Sequence, residues 1–105
     1  MNKNKQKEIE KIIGQIEDKY QPEKIILFGS YASGRPKKNS DVDLVVIKQT
    51  RERFVRRLMR MAEIVRSSLG TEILVYTPKE WQDALREENY FIKEIAKNGK
   101  VVYVS

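Results

Sequence analysis

Apolar residues along the chain alternate between helical spacing and short continuous runs, and each change marks a predicted element. Residues 4–20 carry isoleucines three and four positions apart and predict an amphipathic helix, which Pro22 ends. The run KIILF over residues 24–28 predicts a buried strand. Residues 31–40 collect Gly, Pro, Asn and Ser and predict a loop, and the run DVDLVVIK over residues 41–48 predicts a second strand.

The second half of the chain repeats this alternation. Residues 51–69 return to helical periodicity, with Gly70 as the predicted helix stop. Residues 71–76 (TEILVY) predict a third strand. Helical periodicity then continues, with a break near Asn89, up to a fourth predicted strand over residues 100–104 (KVVYV).

The helix after the third strand carries a specific start signal. Thr77 is suited to be the N-cap, Pro78 to be the first helical residue, and Glu80 to complete a capping box. Tyr76 and Trp81 occupy the two positions of a hydrophobic staple. A helix beginning at Pro78 is therefore predicted.

The predicted element order is α-β-β-α-β-α-β, which favours an α/β (α+β) fold with helices packed on a sheet of about four strands. The connection from Ser30 to Asp41 is too short for a crossover helix, so the first two strands are expected to be antiparallel neighbours in a mixed sheet. The length fits one domain, covering residues 1–105.

Composition restricts the chemistry and the location of this domain. The chain has no cysteine and no histidine, which excludes thiolate zinc sites, histidine bases and histidine metal sites. The net charge of +6 favours polyanionic ligands. There is no apolar run of membrane-spanning length, and the N-terminus from Met1 to Lys5 lacks the apolar part of a signal peptide. A cytoplasmic protein without membrane contact is expected.

Candidate chemistry lies where the first strand ends and the second begins. Gly29 permits close approach of the backbone to a ligand, and Ser30 adds a hydroxyl next to amides that suit phosphate. Asp41 and Asp43 lie two apart in an extended segment, so both carboxylates leave the same face. Such a pair suits a hard cation such as Mg²⁺, which neutralises charge when a phosphoryl bond breaks.

The combination is more specific than either half. Gly-Ser, ten residues and Asp-x-Asp coincide by chance in roughly one chain of this length in a thousand. This motif, in a strand-turn-strand setting, resembles the minimal nucleotidyltransferase family of the polymerase-β-like superfamily, and the resemblance covers most of the chain. It implies the nucleotidyltransferase fold.

The resemblance also implies roles for individual residues. Gly29, Ser30 and Ser40 would bind the nucleotide. Asp41, Asp43 and Glu72 would be the catalytic carboxylates and would hold one or two Mg²⁺ ions. The family usually has aspartate at the third position, so Glu72 is a departure that moves the carboxylate by about one methylene. A change of that size can cost about a hundredfold in rate.

Family members are often paired with a helical HEPN-type protein, a ribonuclease toxin for which they are the antitoxin. The resemblance therefore implies transfer of AMP from ATP to a hydroxyl on such a partner, in a complex with it. A first alternative is an antitoxin that neutralises the partner by binding alone, because Glu72 departs from the usual aspartate.

A second alternative is an RNA-binding module. The helix predicted over residues 51–69 contains six arginines: Arg51, Arg53, Arg56, Arg57, Arg60 and Arg66. No aromatic residues are interleaved with them as a single-strand-binding surface requires, so a solvated helix face is favoured. Tyr31 is expected either to touch the nucleotide or to pack inside, and Tyr90 and Phe91 to anchor the last helix.

Overall fold

A mixed four-stranded sheet with helices on both faces forms the core of the computed structural model, which describes residues 3–105. In chain order the elements are α1 (Lys3–Tyr20), β1 (Lys24–Phe28), α2 (Gly29–Ser33), β2 (Val42–Ile47), α3 (Phe54–Ile64), β3 (Thr71–Tyr76), α4 (Pro78–Arg86), α5 (Tyr90–Asn98) and β4 (Lys100–Val104).

The strands are arranged in the order β3-β2-β1-β4. β1 pairs antiparallel with both β2 and β4, and β2 pairs parallel with β3. The predicted antiparallel neighbours and the predicted mixed sheet are both confirmed. The C-terminal end of β1 and the N-terminal ends of β2 and β3 consequently lie at the same end of the sheet.

Alternating side chains of β2 separate two hydrophobic layers. Leu44 and Val46 pack with α1 and α3, whereas Val45 and Ile47 pack with Trp81 and with the α5 isoleucines on the opposite face. All four of these β2 residues are buried, as expected for a central strand covered on both sides. Asp43 lies between Val42 and Leu44 in this alternation and therefore faces the α4 and α5 side.

The predicted start of α4 is confirmed in detail. The Thr77 hydroxyl accepts from the Glu80 amide at 3.1 Å, and a Glu80 carboxylate oxygen accepts from the Thr77 amide at 2.8 Å. The rings of Tyr76 and Trp81 lie 6.1 Å apart as the staple requires. The break near Asn89 is also confirmed, because the Asn89 side chain caps α5 by accepting from the Ile92 amide at 3.1 Å.

The prediction of one helix over residues 51–69 is wrong in its extent. The helix ends at Ile64, and Val65 is already extended. The segment that follows is held against α1, where the Arg66 amide donates to the Gln15 side chain and the Ser68 amide to Glu8, each at 3.0 Å. These contacts replace the backbone bonds that a longer helix would make, so Gly70 does not end a helix.

The arginine-rich face of α3 is not a uniform solvated surface. Arg57 is 5% exposed, donates to the Val75 carbonyl oxygen at 3.2 Å and forms an ion pair with Glu80 at 2.6 Å. Arg60 forms an ion pair with Glu52 at 2.8 Å. Of the six arginines, only Arg56, Arg57 and Arg60 lie in α3, and Arg57 is structural because it is buried and paired. This weakens the RNA-binding alternative.

The prediction that Tyr90 and Phe91 anchor the last helix is wrong for Tyr90, which is 80% exposed. Phe91 is 45% exposed but contacts the Phe28 ring of β1, and the buried Ile92 and Ile95 provide the main anchor of α5. Tyr31 is fully buried, so of its two expected positions it takes the packed one.

Within residues 3–105, no helix combines the length and the apolar character needed to cross a lipid bilayer. The expectation about the N-terminal leader rests in part on Met1 and Asn2, which lie outside the described residues.

Candidate active site

One row of residues crosses three strands at the end of the sheet where β1 ends and β2 and β3 begin. Phe28 is opposite Asp43 in the antiparallel pair, and Asp43 is opposite Glu72 in the parallel pair. Residues opposite each other in a sheet point to the same face. The two carboxylates therefore lie side by side on the face that α4 and α5 partly cover, with an aromatic ring beside them.

Gly29 brings the turn after β1 directly against the Asp43 carboxylate. Its φ is +73°, in the left-handed region that glycine favours. A Cβ atom on Gly29 would overlap the Asp43 carboxylate oxygen. Both the backbone conformation and the space thus require glycine at this position, as the motif predicts.

Gly70 plays the corresponding part for Asp41. A Cβ atom on Gly70 would overlap the Asp41 carboxylate, and the Gly70 carbonyl oxygen accepts from the Val42 amide at 2.9 Å. This bond holds the start of β2 next to the start of β3. The Gly-Ser and Asp-x-Asp motif does not indicate Gly70 as a site residue. The one feature of the sequence that could have indicated it is its position directly before the third strand.

The electrostatic state of Asp43 reflects this crowding. The pKa of Asp43 is raised to about 6, first by burial and then by the charge of Glu72, a hydrogen bond with the Glu72 carboxyl and the charge of Asp41. All four influences act in the same direction. Without a cation, these surroundings therefore oppose ionisation of Asp43.

Carboxylate oxygens that repel one another fit a hard divalent cation, which replaces the missing positive charge. In the part of the chain that the structure describes, no three acidic side chains form a ready-made metal cluster. Asp43 and Glu72 are adjacent, and Asp41 acts on Asp43 through its charge. This donor set suits Mg²⁺, which is commonly held by one or two carboxylates while substrate phosphates and water complete the shell.

The short helix α2 presents its first turn beside these carboxylates. Its N-cap residue, Phe28, makes no side-chain hydrogen bond to the amides of the first turn. Ser30 is partly exposed there, and its carbonyl oxygen accepts from the Ser33 hydroxyl at 2.9 Å. Gly34 ends α2 with a φ of +77°.

The loop between α2 and β2 contains the remaining predicted site residue. The Ser40 hydroxyl oxygen accepts from the Lys37 amide at 2.7 Å, and the Lys37 carbonyl oxygen accepts from the Ser40 amide at 3.1 Å. Ser40 thus closes a turn immediately before Asp41. The exposed Arg35, Lys37 and Lys38 place positive charge in the same loop.

A cleft of about 510 Å³ adjoins the carboxylates on the α5 side. It is lined by Phe28, Gly29, Ser33, Phe91, Glu94, Ile95, Asn98 and Gly99. On the far side from α2, the cleft is closed by four residues of α5 and by Gly99, which follows that helix. The sequence does not indicate these residues as part of a site, because they reach it only through the packing of α5 across β1.

Comparison with known families and relatives agrees with this geometry. The family model described as polymerase beta, nucleotidyltransferase matches residues 10–105. A protein of Methanocaldococcus jannaschii, provisionally named a protein adenylyltransferase, is 25% identical over 107 residues, which cover 95% of this chain and 99% of that one.

Solved structures share the fold at low sequence identity. A provisionally assigned nucleotidyltransferase from Sulfolobus solfataricus has a TM-score of 0.60 at 14% identity, covering 93% of this chain and 78% of that chain. A toxin–antitoxin solved with AMP-PNP has a TM-score of 0.57 at 20% identity, and a mutant of the MntA–HpeT toxin–antitoxin has 0.56 at 18%. Each of these two alignments covers 91% of this chain and 73% of the other.

The family match covers nearly the whole chain, and the fold and the Gly29, Asp41 and Asp43 arrangement agree with it. This chain belongs to the polymerase beta nucleotidyltransferase family.

Proposed function

We propose that this protein transfers AMP from ATP to a hydroxyl group of a HEPN-type partner protein, as the antitoxin of a toxin–antitoxin pair. The observation that carries the proposal is the row in which Asp43 lies next to Glu72, with Gly29 packed against the Asp43 carboxylate. A relative of almost the same length is provisionally named a protein adenylyltransferase, which supports AMP as the group transferred.

The phosphates of ATP are assigned to the turn at the start of α2. Gly29 lets the backbone approach them closely, and the Ser30 hydroxyl and the first-turn amides can donate to their oxygens. Ser40 closes the turn before Asp41. We assign to it, and to the cationic side chains of the same loop, further contacts with the triphosphate.

Asp41 and Asp43 are the proposed Mg²⁺ ligands, with Glu72 beside them. One or two bound Mg²⁺ ions would neutralise charge on the triphosphate and on the leaving pyrophosphate. The raised pKa of Asp43 supports this assignment, because burial is its largest cause and the charges of Glu72 and Asp41 add to it, and a bound cation would offset all three.

The chemical step exchanges one phosphorus–oxygen bond for another. The acceptor oxygen forms a bond with the α-phosphorus of ATP, the bond from that phosphorus to the bridging oxygen of the β-phosphate breaks, and pyrophosphate leaves. Glu72 accepts the proton that the acceptor hydroxyl loses. Its carboxylate is exposed on an edge strand, which leaves it open to an acceptor on another molecule.

A partner protein is proposed as the acceptor because Glu72 is exposed on the edge strand β3. The toxin–antitoxin structures that share the fold support a toxin as that partner.

The proposal is tested by mixing the protein with a co-encoded HEPN-type protein, Mg²⁺ and ATP labelled at the α-phosphate. The partner is expected to become labelled, and Asp41→Asn with Asp43→Asn is expected to abolish the labelling. Removal of Mg²⁺ by EDTA should have the same effect. Undiminished labelling by the double variant would refute the proposal.

The second candidate is an antitoxin that neutralises its partner by contact alone, and the glutamate at position 72 favours it. Glu72→Gln distinguishes the two. Transfer predicts that Glu72→Gln loses both labelling and neutralisation, whereas contact alone predicts neutralisation by wild type and Glu72→Gln without labelling in either. Glu72→Asp restores the usual family residue and should keep or increase labelling if the carboxylate is catalytic.

A further inference from the structure

The cleft between α2 and α5 shares two residues with the row of carboxylates. Phe28 is opposite Asp43 in the sheet, and Gly29 lies against the Asp43 carboxylate. Both residues also line the cleft. Asp43 and Glu72 do not line the cleft themselves, but the cleft begins at the two residues beside them.

The walls of this cleft are mainly apolar and aromatic. The rings of Phe28 and Phe91 lie 5.7 Å apart at an interplanar angle of 88°, and Ile95 completes the apolar side. Phe91 remains 45% exposed despite this contact, so part of its ring is available to a ligand. Ligand clefts of several hundred Å³ with aromatic walls and few polar groups are typical sites for small molecules.

The charge of the cleft indicates which half of a nucleotide it can hold. Its eight lining residues include one carboxylate, Glu94, and neither lysine nor arginine. The Glu94 carboxylate accepts a hydrogen bond from the Asn98 side chain. A triphosphate would be repelled by Glu94, whereas ribose hydroxyls or an exocyclic amino group can donate to it.

We propose that this cleft binds the nucleoside half of the triphosphate, with a purine base stacked on the Phe91 ring and its donors directed to Glu94. This inference rests on the proposed function, because it assumes that the phosphates lie at Gly29 and Asp43. It adds a direction to the bound nucleotide: phosphates toward β2 and β3, and base toward α5. It also makes Phe91 and Glu94 determinants of nucleotide affinity.

The experiment compares a triphosphate that carries a nucleoside with one that does not. One is an ATP analogue with a methylene bridge between its α- and β-phosphates, which cannot be transferred. The other is inorganic tripolyphosphate. Both are titrated with Mg²⁺ into wild type, Phe91→Leu and Tyr90→Ala by calorimetry. Phe91→Leu keeps the apolar contact with Phe28 but removes the aromatic face, and Tyr90→Ala removes the neighbouring exposed ring that does not line the cleft.

Phe91→Leu is expected to weaken the ATP analogue about tenfold, the size of one lost aromatic–base stack, and to leave tripolyphosphate binding unchanged. Tyr90→Ala is expected to leave both affinities unchanged. Glu94→Gln, which keeps the shape but removes the charge, should also weaken the analogue and not weaken tripolyphosphate.

Two results would overturn the inference while leaving the proposed function intact. The first is an unchanged affinity of Phe91→Leu for the ATP analogue. The second is an equal loss of both ligands, which would mean that Phe91 supports the phosphate site and not the base. If wild type binds neither ligand in the presence of Mg²⁺, the proposed function itself fails together with the inference.

Discussion

Asp43 and Glu72 are directly opposite each other in the parallel pair of β2 and β3, on the same face of the sheet. Burial of Asp43, the charge of Glu72, a hydrogen bond with the Glu72 carboxyl and the charge of Asp41 all raise the pKa of Asp43. The pair therefore lowers the stability of the metal-free fold at neutral pH. A divalent cation bound at this pair, as proposed above, would offset the repulsion between the two carboxylates.

This pair predicts an unusual dependence of stability on pH. The pKa of Asp43 in the folded protein, about 6, lies above the ordinary aspartate value of 3.8, so the folded state binds the proton more tightly. The stabilisation from that proton is present at low pH and is lost as the pH rises through about 6. Asp43→Asn should therefore be more stable than wild type at pH 8 without metal, by about 1 kcal/mol after allowance for solvent screening.

Thermal unfolding in EDTA at several pH values measures this difference. The advantage of Asp43→Asn should shrink as the pH falls from 8 toward 5, and Mg²⁺ should stabilise wild type but not the variant. Asp18→Asn, an exposed aspartate of α1, is the matched control and should show neither effect. A variant that is less stable than wild type at pH 8 in EDTA would contradict the prediction.

Gly70→Ala should impair activity by displacing Asp41. A Cβ atom at residue 70 overlaps the Asp41 carboxylate, so that side chain must move, and a displacement near 1 Å can cost about a hundredfold in rate. The rate of label transfer to the partner measures the loss.

Gly14→Ala is the control for any general effect of replacing a glycine. Gly14 lies in the middle of α1 with nothing within 4 Å of its added Cβ. Alanine there should raise stability by about 0.5–1 kcal/mol through its higher helix propensity and leave transfer unchanged. Equal activity of the two alanine variants would show that Asp41 does not depend on the space beside Gly70.

Arg57→Ala should destabilise the fold without a specific effect at the site. Arg57 is buried, donates to the Glu52 and Val75 carbonyl oxygens and pairs with Glu80. Its loss leaves those acceptors without their donor and should cost about 2 kcal/mol in the free energy of unfolding.

Arg56→Ala tests the same helix at its exposed face. Arg56 makes no ion pair within residues 3–105, so its removal should change stability by less than about 0.5 kcal/mol. Urea unfolding of both variants measures the contrast. A similar loss in the two would mean that the buried network around Arg57 contributes no more than a surface arginine.

Local signals in the sequence were sufficient for most of the fold. The capping box at Thr77 and the short connection before Asp41 depend on neighbouring residues, and both predictions are confirmed. The end of α3 depends instead on side chains of α1, Gln15 and Glu8, which bind the segment after Ile64. Periodicity carries no information about such distant partners, so the predicted helix was too long.

The site residues also divide into those that the sequence indicates and those that only the packing of distant elements brings together. Gly29, Ser30, Asp41 and Asp43 follow from the motif, and Glu72 comes from the family resemblance. The burial of Arg57 and the position of Phe91 beside Gly29 could not be predicted, since each depends on how a helix packs across the sheet. An apolar residue at helical spacing is normally expected inside, yet Phe91 remains partly exposed at the rim of the cleft.

The most direct test of nucleotidyl transfer follows two labels at once. The protein and its HEPN-type partner are incubated with Mg²⁺ and ATP carrying one isotope at the α-phosphate and another at the γ-phosphate, with wild type and Asp43→Asn in parallel. Transfer of AMP predicts that wild type places the α-label on the partner and releases the γ-label as pyrophosphate, and that Asp43→Asn does neither. Appearance of the γ-label on the partner, or equal α-labelling by wild type and Asp43→Asn, would contradict it.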